Sequence, residues 1–218
     1  MNKSSKFAGY LSIVLSVIIL ASSGWAVWQR QAILDWYRLR DYEPSAAIIQ
    51  LSEDASFNEL GEKLFYVHDP EILQKEEFGT GCSLTEETIV LGCYITHDKI
   101  YVFDVDDERL EGVEQVTAAH EVLHAAYDRL SGSEKDRINE LLLMEYQELD
   151  NERLQRNVES YRLRDPSIVP NELHSILGTE VMELSDELEE YYAQYFIDRI
   201  VVVQAAKSYE AEFTRREM

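Results

Sequence analysis

An uncharged apolar stretch near the N-terminus is the strongest constraint that this sequence places on its fold. Residues 7 to 28 read FAGYLSIVLSVIILASSGWAVW and contain no Asp, Glu, Lys or Arg. As a helix rising 1.5 Å per residue, this stretch would be about 33 Å long, which is enough to cross the hydrocarbon core of a bilayer. The sequence therefore predicts a transmembrane helix within residues 1–28.

The residues around this stretch indicate its orientation and whether it is cleaved. Lys3 and Lys6 precede it, which favours a cytoplasmic N-terminus. A cleaved signal peptide is the alternative, because small residues at 21–26 offer a plausible cleavage site. The apolar run continues through Trp28, which favours an uncleaved anchor. In either case we expect residues 29–218 to lie outside the cytoplasm, and the favoured uncleaved anchor would hold them at the cell membrane by a single pass.

Cysteine usage agrees with an extracytoplasmic domain. Cys82 and Cys93 are the only cysteines, and each follows a glycine. Outside the cytoplasm such a pair is expected to form a disulfide that closes a short loop, worth about 3 kcal/mol of stability. A metal site is the alternative, but the sequence near the pair offers no third or fourth soft ligand.

The chain is strongly acidic, with a formal net charge of −22. Removing Lys3 and Lys6 from the 20 basic residues leaves 18 against 42 acidic ones, so residues 29–218 carry −24. This balance argues against nucleic acid or an anionic lipid surface as a partner. It permits cationic peptides or cell-wall components, and it keeps the domain soluble.

Residues 29–44 are expected to form a juxtamembrane helix that Pro44 ends, and residues 45–218 one α+β domain. A short helix is predicted at 56–60. Segments rich in β-branched and aromatic residues predict a small, mostly antiparallel sheet, with strands at 63–67, 88–94 and 99–105. The last two strands would form a hairpin through a turn at 95–98.

The rest of the chain is predicted to be helical. The pattern of apolar residues indicates helices at about 113–130, 133–161 and 170–200, with a continuation towards the C-terminus. Ser133 is the expected N-cap of the second helix, and Pro170 suits the first turn of the third. The sheet is thus expected to pack on a helical part that contains the most distinctive motif of the chain.

That motif is His-Glu-x-x-His, formed by His120, Glu121 and His124 inside the first of these helices. Residues four apart lie on the same face of a helix, so both imidazoles can reach one metal ion. Glu121 then lies beside the ion, where it can act as a base towards a metal-bound water. The simpler alternative to a metal site is that both histidines are core residues of the helix.

Catalytic zinc usually has three protein ligands, so a further residue is needed. Gly and His are required at positions 127 and 130 for the extended metzincin motif, and this chain has Tyr127 and Leu130. We expect Glu180 to be the third ligand, because it falls near the centre of the apolar face of a helix drawn through 171–188. The other candidates are His174, Glu145, Glu172 and Glu183. A buried salt bridge is the alternative role for Glu180, with Arg199 or Arg162 as its partner.

The motif segment 117–127, with strands before it and a carboxylate-bearing helix after it, resembles the zincin metallopeptidases, and most closely the gluzincins. The resemblance implies that His120 and His124 bind Zn²⁺ and that Glu121 polarises the water, with Glu180 as the expected third ligand. It also implies an edge strand, expected at 99–105, that accepts an extended peptide. His174 is the expected group near the scissile carbonyl. Three tyrosines are candidates by chemistry alone and are better explained as packing residues, namely Tyr191, Tyr192 and Tyr195.

The function expected from these features is a membrane-anchored, extracytoplasmic zinc metallopeptidase that hydrolyses peptide bonds in a peptide or protein substrate. Glu121 and His174 would be its catalytic residues. A non-catalytic, membrane-tethered domain that binds metal or a partner is one alternative, but a structural metal site has no use for Glu121. A zinc hydrolase of another amide, such as a cell-wall peptide, is the other. No feature of the sequence sets an oligomeric state.

Overall fold

The computed structural model describes residues 3–82 and 91–217, and these residues form two compact units that divide between Glu43 and Pro44. The first unit contains helix α1 (Lys3–Trp28) and helix α2 (Arg30–Leu39). Within the described residues, α1 is the one helix long and apolar enough to cross a membrane, over Tyr10–Trp28 with a mean hydropathy of 2.0. A helix is present within the predicted range 29–44 as α2, which ends five residues earlier.

The second unit begins with short elements, which are α3 (Ala46–Asp54), α4 (Glu59–Val67), β1 (Glu71–Leu73), α5 (Lys75–Gly81), β2 (Gly92–Tyr94) and β3 (Ile100–Phe103). The strand predicted at 63–67 is wrong, because these residues complete α4. A short apolar run does not by itself distinguish a strand from a buried helix. Here Asn58 decides, since its side chain accepts hydrogen bonds from the backbone N–H groups of Leu60 and Gly61 and so starts a helix.

The sheet is mixed, and its strand order is β1-β3-β2. β1 pairs with β3 in parallel, whereas β2 and β3 form the predicted antiparallel hairpin. The expectation of a mostly antiparallel sheet is therefore wrong in its β1–β3 half. β3 lies in the centre, so the expectation that 99–105 forms an edge strand is also wrong. The two edge strands are β1 and β2. Of the strand predicted at 88–94, residues 92–94 form β2, and residues 88–90 lie outside the described residues.

Helices make up the remainder of the second unit. A short 3-10 turn (Glu108–Leu110) leads into α6 (Val113–Arg129), α7 (Gly132–Glu148), α8 (Glu152–Arg164), α9 (Val169–Glu180), α10 (Asp186–Tyr192) and α11 (Arg199–Glu217). The two long helices predicted at 133–161 and 170–200 are each interrupted. Asn151 caps α8 and so breaks the first. The N-cap of α7 is Ser131 and not Ser133, because Ser131 and Glu134 form a reciprocal capping box.

Helix α6 runs through the centre of the core, with α9, α11 and the sheet packed around it. Ala118, Ala119, Val122 and Leu123 of α6 are fully buried. Helix α9 approaches closely at Gly178, where a Cβ atom would lie 2.4 Å from Cδ1 of Leu123. The absence of a side chain at Gly178 therefore determines how closely α9 packs against α6.

Cys82 and Cys93 lie at disulfide-bonding distance, with their Cα atoms 6.1 Å apart. The predicted pairing is thus confirmed. Cys82 follows the last residue of α5 and Cys93 is the middle residue of β2, so the disulfide ties the edge strand to the preceding helix.

The contact at Gly178 gives a first prediction. Gly178→Val is expected to destabilise the fold by about 2 kcal/mol, because the added atoms overlap the side chains of Leu123 and Tyr192. For a unit of this size the melting temperature of the detergent-solubilised full chain should fall by about 4–8 °C, measured by circular dichroism. Gly132→Val is the control, since a Cβ there meets nothing within 4 Å. Equal melting temperatures for the two variants would contradict the role of Gly178.

Candidate metal centre

The predicted His-Glu-x-x-His helix is α6, and its motif side faces β2 and α9. His120 and His124 stack along this side with their ring centroids 4.7 Å apart. The two imidazoles are partly exposed, with side-chain exposures of 20% and 12%. Glu121, between them in sequence, is buried.

A carboxylate from α9 completes the group. Oε2 of Glu172 lies 3.9 Å from Nε2 of His120 and 3.9 Å from Nε2 of His124. Metal bonds of 2.0–2.1 Å in a tetrahedral site place neighbouring donor atoms about 3.3–3.5 Å apart. A small inward movement of one carboxylate would reach that spacing. His120, His124 and Glu172 therefore form a group that could hold a metal ion.

Asn171, the residue before Glu172, orients the ring of His124. Oδ1 of Asn171 accepts a hydrogen bond of 3.0 Å from Nδ1 of His124. This bond places the proton on Nδ1 and leaves the lone pair of Nε2 directed at Glu172. A polar partner of this kind orients the ring of a metal-binding histidine. Both Asn171 and Glu172 lie in the first turn of α9, which Pro170 helps to begin.

Burial shifts the pKa values of His120 and Glu121. The pKa of His120 is lowered well below its usual value, first by desolvation and then by repulsion from His124 and His174. A neutral imidazole is the form that binds metal, so this shift favours binding. Burial also raises the pKa of Glu121 to about 7, and the charge of Glu172 contributes to this rise. A carboxylate with a pKa near neutrality is well suited to both accept and release a proton.

Strand β2 positions Glu121. The carboxylate of Glu121 accepts a hydrogen bond from the backbone N–H of Tyr94. Close packing makes this bond possible, because a Cβ on Gly92 would lie 2.4 Å from Cγ2 of Thr117 and 3.0 Å from Oε1 of Glu121. The absence of a side chain at Gly92 thus allows the edge strand to lie directly on the motif helix.

A cavity of about 500 Å³ opens over the group. Helix α6 forms its floor, the segment from Leu91 to Thr96 forms one wall, and residues of α8, α9 and α11 form the other. Besides the residues already described, its lining includes Asp128, Tyr161, Arg164, Ile168, Glu180 and Tyr209. The group that could hold a metal therefore lies in a space large enough for part of a substrate.

The structure does not bring Glu180 into the metal-binding group. Its carboxylate forms an ion pair with Arg153, at 2.5 Å, while still lining the cavity. The predicted alternative of a salt bridge is correct in kind, with a different arginine. The helical wheel was misleading because α9 ends at Glu180, so the face drawn onwards from Val181 does not exist. Glu145 is also elsewhere, because it accepts a hydrogen bond from the backbone N–H of Ser185.

His174 lies in the core behind the site. It is fully buried, and its Nε2 is 2.8 Å from the hydroxyl of Tyr191. Desolvation is the main cause that lowers its pKa to about 3, so the ring is neutral. It does not line the cavity, and the expectation that it lies near a scissile carbonyl is wrong. The tyrosines at 191, 192 and 195 are buried around it, which agrees with their interpretation as packing residues.

One residue of the site was underrated by sequence reasoning, and two were missed. Glu172 was only a minor candidate, although Ile176, one turn later, is buried on the same face of α9. Asn171 carried no signal apart from its position beside Glu172. Tyr161 was missed, because the helix predicted at 133–161 ended there and gave no reason to place its ring over the motif. In the structure α8 continues to Arg164.

Comparisons with family models, with curated proteins and with solved structures found no match for this chain. The functional argument therefore depends on the geometry of the site.

The metal-binding group gives a second prediction. We expect the full chain to hold one divalent metal ion, and Glu172→Gln to weaken binding by more than the roughly 10–100-fold typical of a supporting residue. Glu180→Gln is the matched control and should keep the metal, since Glu180 pairs with Arg153. Metal content of the purified variants is measured by mass spectrometry after dialysis. Loss of metal in Glu180→Gln together with retention in Glu172→Gln would reverse the assignment.

Proposed function

We propose that this protein is a membrane-anchored zinc peptidase whose active site lies outside the cytoplasm. The observation that carries the proposal is the placement of Glu121 beside the group formed by His120, His124 and Glu172. A structural metal site needs its ligands alone. Here an additional buried carboxylate with a pKa near 7 lies in a cavity next to them, which is what hydrolysis requires.

The donor set supports zinc as the metal. Two imidazole nitrogens and one carboxylate oxygen are typical ligands of catalytic zinc, which leaves a fourth position open. Bound zinc would polarise a carbonyl and make a coordinated water acidic enough to lose a proton near neutral pH. Asn171 supports this arrangement by holding the ring of His124.

Glu121 acts as the proton carrier in the proposed reaction. Its carboxylate accepts a proton from the attacking water and later donates it to the nitrogen of the leaving amine. The backbone N–H of Tyr94 keeps one carboxylate oxygen in place during both steps. The surrounding burial excludes bulk water and keeps the proton affinity of Glu121 close to the value that both steps need.

The edge of β2 suits an extended peptide. Leu91 bonds to Phe103 of β3, and Ile95 bonds to Lys99 just before β3. By alternation Cys93 also faces β3, while Gly92 and Tyr94 direct their peptide groups outwards. The N–H of Tyr94 is used by Glu121, and Gly92 lines the cavity. A substrate strand would thus pair with β2 at Gly92 and pass over the metal-binding group.

Tyr161, which lines the cavity, is the group proposed to stabilise the transition state. Burial raises the pKa of its phenol, and the charges of Glu172, Glu180 and Glu121 act in the same direction, apart from a smaller opposing effect of Arg164. The phenol therefore keeps its proton at any physiological pH and can donate it in a hydrogen bond. A donor directed at the negative charge that develops on the carbonyl oxygen speeds the reaction.

The base role of Glu121 gives a third prediction. Glu121→Gln should retain zinc and lose roughly 10²–10⁴-fold in turnover, because the proton acceptor is removed and the ligands are not. The zinc-loaded full chain in detergent is assayed on a peptide library and on cell-wall peptides, with exposed Glu140→Gln as control. Cleavage restricted to cell-wall amides would change the substrate class. A Glu121→Gln protein as active as the unmodified chain would contradict the proposal.

Tyr161 gives a fourth prediction. Tyr161→Phe should lower kcat by roughly 10²–10³-fold, with KM and zinc content nearly unchanged, because the hydroxyl acts mainly in the transition state. Tyr146→Phe is the control, since Tyr146 lies in a separate shallow groove between α7 and α8. A rise in KM at constant kcat would show that Tyr161 binds substrate without assisting the chemistry.

A further inference from the structure

Asp128 lies in the cavity one turn beyond the second histidine of the motif. His120, His124 and Asp128 are spaced four residues apart on α6, so their side chains lie along the same side of the helix. Asp128 lines the cavity together with Tyr94 and Thr96, at the end of the wall formed by β2. Four residues of helix place it about 6 Å along the axis from His124.

Neutral groups hold the carboxylate of Asp128 in position. The phenol of Tyr94 donates a hydrogen bond to it. The oxygen of that phenol in turn accepts a bond of 3.0 Å from the backbone N–H of His97. His97 has a φ of 58°, a left-handed conformation that few non-glycine residues adopt. The hairpin turn thus fixes the phenol, and the phenol fixes the carboxylate.

Among the acidic residues that line the cavity in the described part of the chain, Asp128 is the one that neither pairs with an arginine nor belongs to or lies beside the metal-binding group. Glu180 is paired with Arg153, Glu172 belongs to the metal-binding group, and Glu121 has its role beside that group. None of the ion pairs among the described residues includes Asp128. Arg164, the cation that lines the cavity, lies over the ring of Tyr161, 5.2 Å from its centroid.

We propose that Asp128 selects substrates that carry a positively charged side chain within about two residues of the bond to be cleaved. A strand advances about 3.3 Å per residue, so 6 Å corresponds to about two residues of an extended peptide on β2. The charge of −24 on residues 29–218 would draw the same substrates to the domain. This inference rests on the proposed peptidase function and adds the class of substrate.

The test uses paired peptides that differ in one residue, Lys or the uncharged norleucine, placed at each of the two positions on either side of the cleavage site. For the zinc-loaded full chain in detergent we expect kcat/KM to favour Lys by roughly 10–100-fold at one position. Asp128→Asn should bring that ratio close to one. Asp106→Asn removes the same charge from an exposed loop and should leave the ratio unchanged.

The outcomes separate this inference from the proposed function. Cleavage by the unmodified chain with no preference for Lys at any position would overturn the role of Asp128 and leave the peptidase standing. If neither peptide is cleaved, the proposed peptidase function is wrong. The affinity of the same peptides for the Glu121→Gln chain, measured by calorimetry, then tests whether Asp128 recognises the positive charge. A Lys preference in binding that Asp128→Asn removes would support the inference, and equal binding would overturn it.

Discussion

The close approach of α9 to α6 is the contact on which the site depends. Because Gly178 has no side chain, Leu123 of α6 can lie against the backbone of α9. Two turns earlier in α9 the same approach brings Glu172 to 3.9 Å from both histidines of the motif. A wider separation of the helices would leave two imidazoles without a carboxylate, so a packing contact in the core determines whether a metal can be held.

A second close approach supplies the remaining part of the site. Gly92 lets β2 lie on Thr117 and Glu121, and the backbone of Tyr94 then reaches the Glu121 carboxylate. The side chain of the same tyrosine reaches Asp128. One edge strand thus contacts both Glu121, beside the residues that could hold a metal, and Asp128, one turn beyond His124. Helix α6 carries all three of the residues that these contacts organise, which are Thr117, Glu121 and Asp128.

The sequence allowed prediction of features that depend on local patterns. The apolar helix, the disulfide, the hairpin and the motif helix were foreseen because periodicity, composition and spacing determine them. The partner of the motif was not, because a helical wheel assumes a helix of unlimited length and α9 ends at Glu180. The mixed sheet was missed for a similar reason. β1 is three residues long, and its parallel pairing with β3 follows from long-range packing. The prediction for His174 failed because a histidine on the apolar face of a helix can be either a core residue or a residue of the site, and the sequence does not distinguish the two.

The disulfide between Cys82 and Cys93 links the packing of β2 to the compartment in which the chain folds. Cys93 lies between Gly92 and Tyr94, the two residues of β2 that contact the motif helix. In a reducing compartment the thiols would stay separate, and the three-residue strand would be held only by its ladder to β3 and its contacts with the motif helix. A newly made chain would therefore hold Gly92 and Tyr94 against the motif helix less firmly until it reached an oxidising environment, where the disulfide ties β2 to α5.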